Sequence, residues 1–133
     1  MRILVVQPKI EVGTKQLEKM IKEYKEADII IFPEDYIRSQ QAFKEAIVLA
    51  KDYKKVIVTG MLSGEDEKRQ GIIIDKDGQV LLSRLKTPKG QLLLQPSKVN
   101  TSIGYIGFML CREIFHDFSP LAGSDLIVNP IGY

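Results

Sequence analysis

Three side chains with complementary chemistry follow apolar runs in this 133-residue sequence: Glu34 after Ile29–Phe32, Lys86 after Val80–Leu82, and Cys111 after Tyr105–Leu110. They are a base, a cation and a nucleophile. Cysteine attacks as the thiolate, and about a few per cent of a free thiol is ionised at neutral pH, so a working Cys111 needs a neighbouring base or positive charge. Glu34 and Lys86 can fill those roles. Lys86 can also stabilise negative charge developing on a carbonyl oxygen or nitrile nitrogen, helped by the backbone N–H of Arg112 where the chain turns after the strand. His116, the one histidine, lies five residues beyond the thiol and reads as a surface or helix-capping residue. Each member of the set also has a plainer reading: Cys111 as a small buried hydrophobe, Glu34 as a turn cap, and Lys86 as a solvated charge for which Lys89 is a substitute. Asn129, after the last apolar run, either holds substrate or shapes the turn before Pro130. Tyr36 and Arg38 are assigned to a solvated loop.

The elements that must position these groups are legible as short β-branched runs: Ile3–Val6, Ile29–Phe32, Val56–Val58, Ile72–Ile74, Val80–Leu82, Tyr105–Leu110 and Leu126–Val128. Thr14 to Ala27 carries Leu17, Met20, Ile21 and Tyr24 at helical spacing, and Ser39 to Tyr53 repeats the pattern with Phe43, Ala46, Ile47 and Ala50. Strand, helix, strand, helix, strand argues for right-handed crossovers and a parallel start to the sheet. Asp75–Gly78 predicts a hairpin, Glu113–Leu121 a short helix and Gly64–Gln70 a solvated loop. The three reactive groups then share the carboxyl edge of the strands, where open α/β sheets bind ligands.

Composition narrows the classes. At 44% hydrophobic and 27% charged residues the chain reads as one packed domain, residues 1–133. A net charge of +2 with both signs interspersed argues against a nucleic-acid surface. The apolar runs are too short to cross a bilayer, and the N-terminus lacks a signal-peptide layout, so a soluble, cytoplasmic protein with no membrane partner is expected. One cysteine and one histidine preclude an intramolecular disulfide and a Cys/His metal cage.

The words around the reactive residues are Val6-Gln7-Pro8, Ala27-Asp28-Ile29-Ile30-Ile31-Phe32-Pro33-Glu34, Arg84-Leu85-Lys86, Gly107-Phe108-Met109-Leu110-Cys111-Arg112-Glu113, and Gly123-Ser124-Asp125-Leu126-Ile127-Val128-Asn129-Pro130. In this order and spacing the chain resembles the carbon–nitrogen hydrolase superfamily, the nitrilases and aliphatic amidases, over essentially its whole length. The resemblance implies a Glu-Lys-Cys triad with Glu34 as general base, Lys86 as the lysine and Cys111 as nucleophile, needing no metal or organic cofactor. Glu113 matches the acidic position two residues after the nucleophile. With Arg112 and Asn129, it is expected around the oxyanion and substrate.

The implied fold class is α/β, a nitrilase-like α-β-β-α sandwich of which this chain forms one half, with helices on one face of a mixed sheet. The sequence departs from the family pattern in three ways. Arg112 replaces an aromatic residue, Gln91–Thr101 contains no second glutamate, and family members are much longer. A half-sandwich would leave one apolar sheet face bare, which a second copy, forming a homodimer through that face, or a separate partner is expected to cover. Two function classes remain at this point: a thiol hydrolase of a small amide or nitrile, and a catalytically silent binding or assembly subunit.

Overall fold

A computed structural model describes residues 1–64 and 68–132. The elements, in chain order, are β1 (Ile3–Val5), α1 (Lys15–Glu23), β2 (Ile29–Ile31), α2 (Gln40–Tyr53), β3 (Val56–Ser63), β4 (Lys68–Ile74), β5 (Val80–Leu85), β6 (Ser97–Thr101), β7 (Gly104–Phe108) and β8 (Leu126–Val128). Two short 3-10 turns, Cys111–Phe115 and Ser119–Leu121, lie between β7 and β8. Where a helix was expected over Glu113–Leu121, Pro120 lies within the second turn and breaks the segment into these two pieces. The expected loop Gly64–Gln70 is in part the start of β4, and its residues 65–67 lie outside the described residues.

α2 begins at an N-cap in which the Ser39 hydroxyl accepts from the Ala42 N–H at 3.0 Å. α1 is shorter than its apolar pattern suggested, and Thr14 does not cap it through its side chain; the Thr14 hydroxyl instead donates to Glu45 of α2 at 2.8 Å. Both helices lay their apolar residues, Leu17 and Ile21 from α1 and Ala42, Ala46 and Ala50 from α2, on one face of a sheet ordered β1-β2-β3-β4-β5. The first three strands are parallel, and β4 and β5 follow antiparallel through the Asp75–Gly78 turn. β5 therefore runs in the same direction as β1, β2 and β3.

The chain closes the other face of this sheet itself. β6, β7 and β8 form a separate three-stranded sheet, and Ile106, Phe108, Leu110 and Val128 from it pack on Ile29, Ile31, Val56, Val58 and Ile73 of the first sheet. Successive residues of β2 thus serve two cores, Ile30 facing the helices and Ile29 and Ile31 facing the second sheet. The expected α/β arrangement, with helices on one face of a mixed sheet, is present; the other face, expected to be bare, is covered by β6–β8 of the same chain. The architecture is α-β-β within one chain, and the uncovered surface moves outward to the far side of the second sheet, where Tyr105 and Ile127 are exposed. β6 has no apolar run to mark it, since Val99 is the one residue of Ser97–Thr101 that joins the apolar core between the sheets.

Among the described residues no helix is long and apolar enough to cross a membrane.

Candidate active site

Glu34 leaves β2 on a turn bound to β3. Phe32 N–H donates to the Val58 carbonyl at 2.9 Å, Gly60 N–H to that of Pro33 at 3.3 Å, and Ile37 N–H to that of Gly60 at 3.0 Å. This bonding brings Gly60 so close that a Cβ there would stand 2.6 Å from the Glu34 Cα, so glycine is required beneath the base. Asp35, the next residue, takes a left-handed φ of 63°. Tyr36 and Ile37 are buried rather than solvated: the Tyr36 ring packs 4.3 Å from that of Phe32, and its hydroxyl donates to Glu11 at 2.6 Å.

Lys86 arrives from β5, which runs to Leu85 and so delivers the ammonium directly at the strand's end. Arg84 is paired in register with Gly71, on the side of the first sheet that faces the second. Lys86, two residues on, extends from the same side. Its Nζ donates to both carboxylate oxygens of Glu34, at 2.9 and 3.0 Å. Burial works to lower the Lys86 pKa, but the hydrogen bond and charge of Glu34, with the neighbouring Cys111, outweigh it and hold the ammonium above its ordinary value. Lys89, the alternative cation, is exposed.

Cys111 enters from the second sheet. β7 ends at Phe108, the Met109 N–H donates to the Val128 carbonyl at 2.9 Å, and at Cys111 the backbone turns into a left-handed φ of 52°. For a residue with a Cβ this conformation is strained, and it forms an elbow between strand and 3-10 turn with the half-exposed thiol at its corner. The Cys111 N–H points to the Pro130 carbonyl at 3.4 Å, linking the elbow to the segment after β8. That segment also crosses Glu34, since a Cβ on Gly132 would lie 2.6 Å from a Glu34 carboxylate oxygen. Glu34, Lys86 and Cys111 therefore meet at the seam between the two sheets, at the carboxyl ends of β2, β5 and β7.

The other expected site residues occupy different places. Arg112 is exposed, its guanidinium directed 3.5 Å from the Pro88 carbonyl. Glu113, expected near substrate, is fully buried and turned into the protein, where Arg84 holds both its oxygens at 2.7 and 2.5 Å and the Leu110 N–H donates to it at 2.7 Å. Asn129 lines a cavity of about 190 Å³ with Gln7, Pro33 and Pro130, and neither polar atom of its buried side-chain amide has a hydrogen-bond partner among the described residues. His116 ends the turn after Cys111, its Nδ1 3.0 Å from the Asp117 carbonyl oxygen.

The signal for Arg84 is its spacing of two residues from Lys86 in the run Arg84-Leu85-Lys86, which marks both for the same face. Asp35 carried no sequence signal. Desolvation raises its pKa, partly countered by Arg69, whose Nη1 is 3.2 Å from the carboxylate, while the nearby Glu34 charge raises it further. Among the described residues no group of three or more His, Cys, Asp or Glu side chains is placed to hold a metal ion.

No family model matches the chain, and no curated protein does. Solved structures do. An amidase from Nesterenkonia sp. superposes with a TM-score of 0.75 at 16% identity, over 98% of this chain and 64% of the amidase. A carbon–nitrogen hydrolase from Helicobacter pylori G27 gives 0.71 at 18% identity, over 98% of this chain and 60% of the other. A variant of the amidase from Nesterenkonia sp. AN1, showing the Michael addition of acrylamide at its active-site cysteine, gives 0.75 at 14% identity, over 98% and 66%. The chain spans less than two-thirds of the length of each. Over that part, the fold of this chain is the nitrilase-like fold of carbon–nitrogen hydrolases.

Proposed function

We propose that this chain carries the catalytic half-site of a cysteine-dependent hydrolase acting on a non-peptide carbon–nitrogen bond in a small amide or nitrile. The observation that carries the reading is the meeting of Glu34, Lys86 and the half-exposed Cys111 at one rim, with Lys86 bonded to both oxygens of Glu34. In this mechanism Glu34 takes the thiol proton and Cys111 Sγ attacks the amide carbon. The oxygen charge that develops is met by Lys86 and the Arg112 backbone N–H. The proton returns from Glu34 to the nitrogen, the C–N bond breaks, and ammonia or an amine leaves. Water then attacks the thioester, giving its proton to Glu34, and the carboxylic acid departs as the thiol re-forms. The fold shared with amidases supports hydrolysis over a silent binding role.

Acrylamide tests the reading directly, since its Michael adduct would be detected by intact mass. Wild type should gain one acrylamide at pH 7, Cys111→Ala none, and Lys86→Ala should react at least about tenfold more slowly because the ammonium favours the thiolate. Equal slow labelling of wild type and Lys86→Ala would sink the triad. Release of ammonia from a panel of short amides and nitriles then identifies the substrate. The same reading places a second copy, or a separate partner completing the pocket wall, on the outer face of the second sheet, where Tyr105 and Ile127 are exposed. Light scattering showing a monomer at micromolar concentration argues against the homodimer.

A further inference from the structure

Two residues at the end of β5 reach the site, Arg84 within the strand and Lys86 just past it, and only Lys86 touches the rim. Arg84 extends from the same face of the strand as Lys86 but passes beneath the elbow, its guanidinium 5.4 Å over the Phe108 ring. There it forms a two-pronged ion pair with Glu113, whose carboxylate is completely buried. Glu113 in turn accepts from the Leu110 N–H at 2.7 Å, and its own N–H donates to the Leu110 carbonyl at 3.2 Å. These contacts bracket Cys111, the residue with φ of 52°. Leu110 and Glu113 are locked to each other on either side of the thiol, and both are locked to β5.

We propose that Arg84 and Glu113 are the positioning pair of the site, a clamp that holds the Cys111 elbow at a set distance from the Lys86 ammonium, two residues further along the chain and just past β5. The proposal rests on the Glu34-Lys86-Cys111 reading. The physical argument is one of rigidity. A guanidinium–carboxylate fork fixes distance and angle together, which a single hydrogen bond does not. The sulfur comes from one sheet and the ammonium from the other, and apolar packing between sheets tolerates small sliding. An anchor joining β5 to the elbow removes that freedom where a misplacement of about 1 Å can cost two orders of magnitude in rate. The left-handed conformation at Cys111 also has to be held against its own strain, and the Glu113 contacts to Leu110 do so from the adjacent peptide.

The clamp predicts an effect that loss of stability alone would not give. The readout is the rate of Cys111 alkylation by iodoacetamide at pH 7 relative to pH 10, where any thiol is largely ionised. Arg84→Lys keeps the charge and loses the fork, and Glu113→Gln keeps an acceptor for Leu110 and loses the pair. In each, the ratio should fall about tenfold under conditions where the protein remains folded by circular dichroism. In the Lys86→Ala background, the same two substitutions should leave the ratio unchanged, because no ammonium remains to be positioned.

If Lys86→Ala lowers the ratio but Arg84→Lys and Glu113→Gln alter only the melting temperature, the clamp is structural and the proposal fails while the triad stands. If Lys86→Ala itself leaves the ratio unaltered, the triad fails and this proposal falls with it. Should Arg84→Lys fail to fold, Glu113→Gln decides between the first two outcomes.

Discussion

The rim and the floor of the site each hold an ion pair anchored on the same end of β5, and the two differ in ways that separate chemistry from architecture. At the rim, Lys86 meets Glu34 with side-chain exposures of 18% and 5%. At the floor, Arg84 meets Glu113 at 18% and 0%. The rim cation is an ammonium, a point charge on a flexible stem that can turn toward sulfur, carboxylate or substrate. The floor cation is a planar fork committed to one carboxylate. Glu34 is held through both oxygens by the single Lys86 ammonium, whereas Glu113 has both oxygens engaged by Arg84 and one shared with the Leu110 N–H. On the proposed reading, charge of the same kind two residues apart serves turnover in one place and geometry in the other.

The largest expected effect separates the two carboxylates by stability. Glu113→Ala strands a buried guanidinium and the Leu110 N–H, and should cost about 3–5 kcal/mol in urea unfolding. Glu34→Gln leaves Lys86 able to turn to water and keeps a hydrogen-bond acceptor, so it should cost about 1 kcal/mol or less while abolishing ammonia release. Equal losses of stability would erase the distinction between rim and floor.

An intermediate effect should appear in alkali. The Lys86 pKa is raised in the folded protein above the ordinary 10.5, so the folded state binds its proton more tightly than the unfolded chain does. The stabilisation is complete below 10.5 and is lost as pH rises through the raised value. Melting temperature should therefore decline more steeply above that point in wild type than in Lys86→Gln, and parallel declines would deny the rim pair any share in stability.

The smallest effect concerns Asp35, beside the base. Its pKa is raised, so the folded state favours the protonated carboxyl, and stability falls as pH rises from the ordinary 3.8 through the raised value. At neutral pH the ionised group carries that cost. Asp35→Asn, which also tolerates the left-handed φ, should raise the melting temperature at pH 7 by about 1–3 °C and give no gain at pH 3. A lower melting temperature at pH 7 would mean that the Arg69 pair outweighs desolvation.

Much of this arrangement was legible in local pattern. The βαβαβ opening and the Asp75–Gly78 hairpin follow from residue periodicity and turn chemistry, because each element is decided within about a dozen residues. The edge occupied by Glu34, Lys86 and Cys111 was likewise readable, since a residue just past a strand's carboxyl end stays at that end however the strands are ordered. Glu113 lies away from the side on which it was expected. Its place two residues after the thiol suggested the substrate side, but the 3-10 turn rotates it inward toward a partner 29 positions away in sequence. Tyr36 was assigned to solvent because the partner of its hydroxyl, Glu11, belongs to a loop 25 residues away.

The order of strands and helices and the candidates for a reactive trio are carried by neighbouring residues along the chain, through apolar spacing and the residues that end each run. Which strands share a sheet was settled only in three dimensions. Nothing local distinguishes the isoleucines of β2 that face helices from those that face a second sheet, and β6 has no apolar run of its own to announce a strand. Stacking β6–β8 on the first sheet brings Cys111 from one layer to Lys86 of the other. The physical reason is that register along β5 sends Arg84 and Lys86 into the gap between layers, where each charge is stable only beside the carboxylate that waits there.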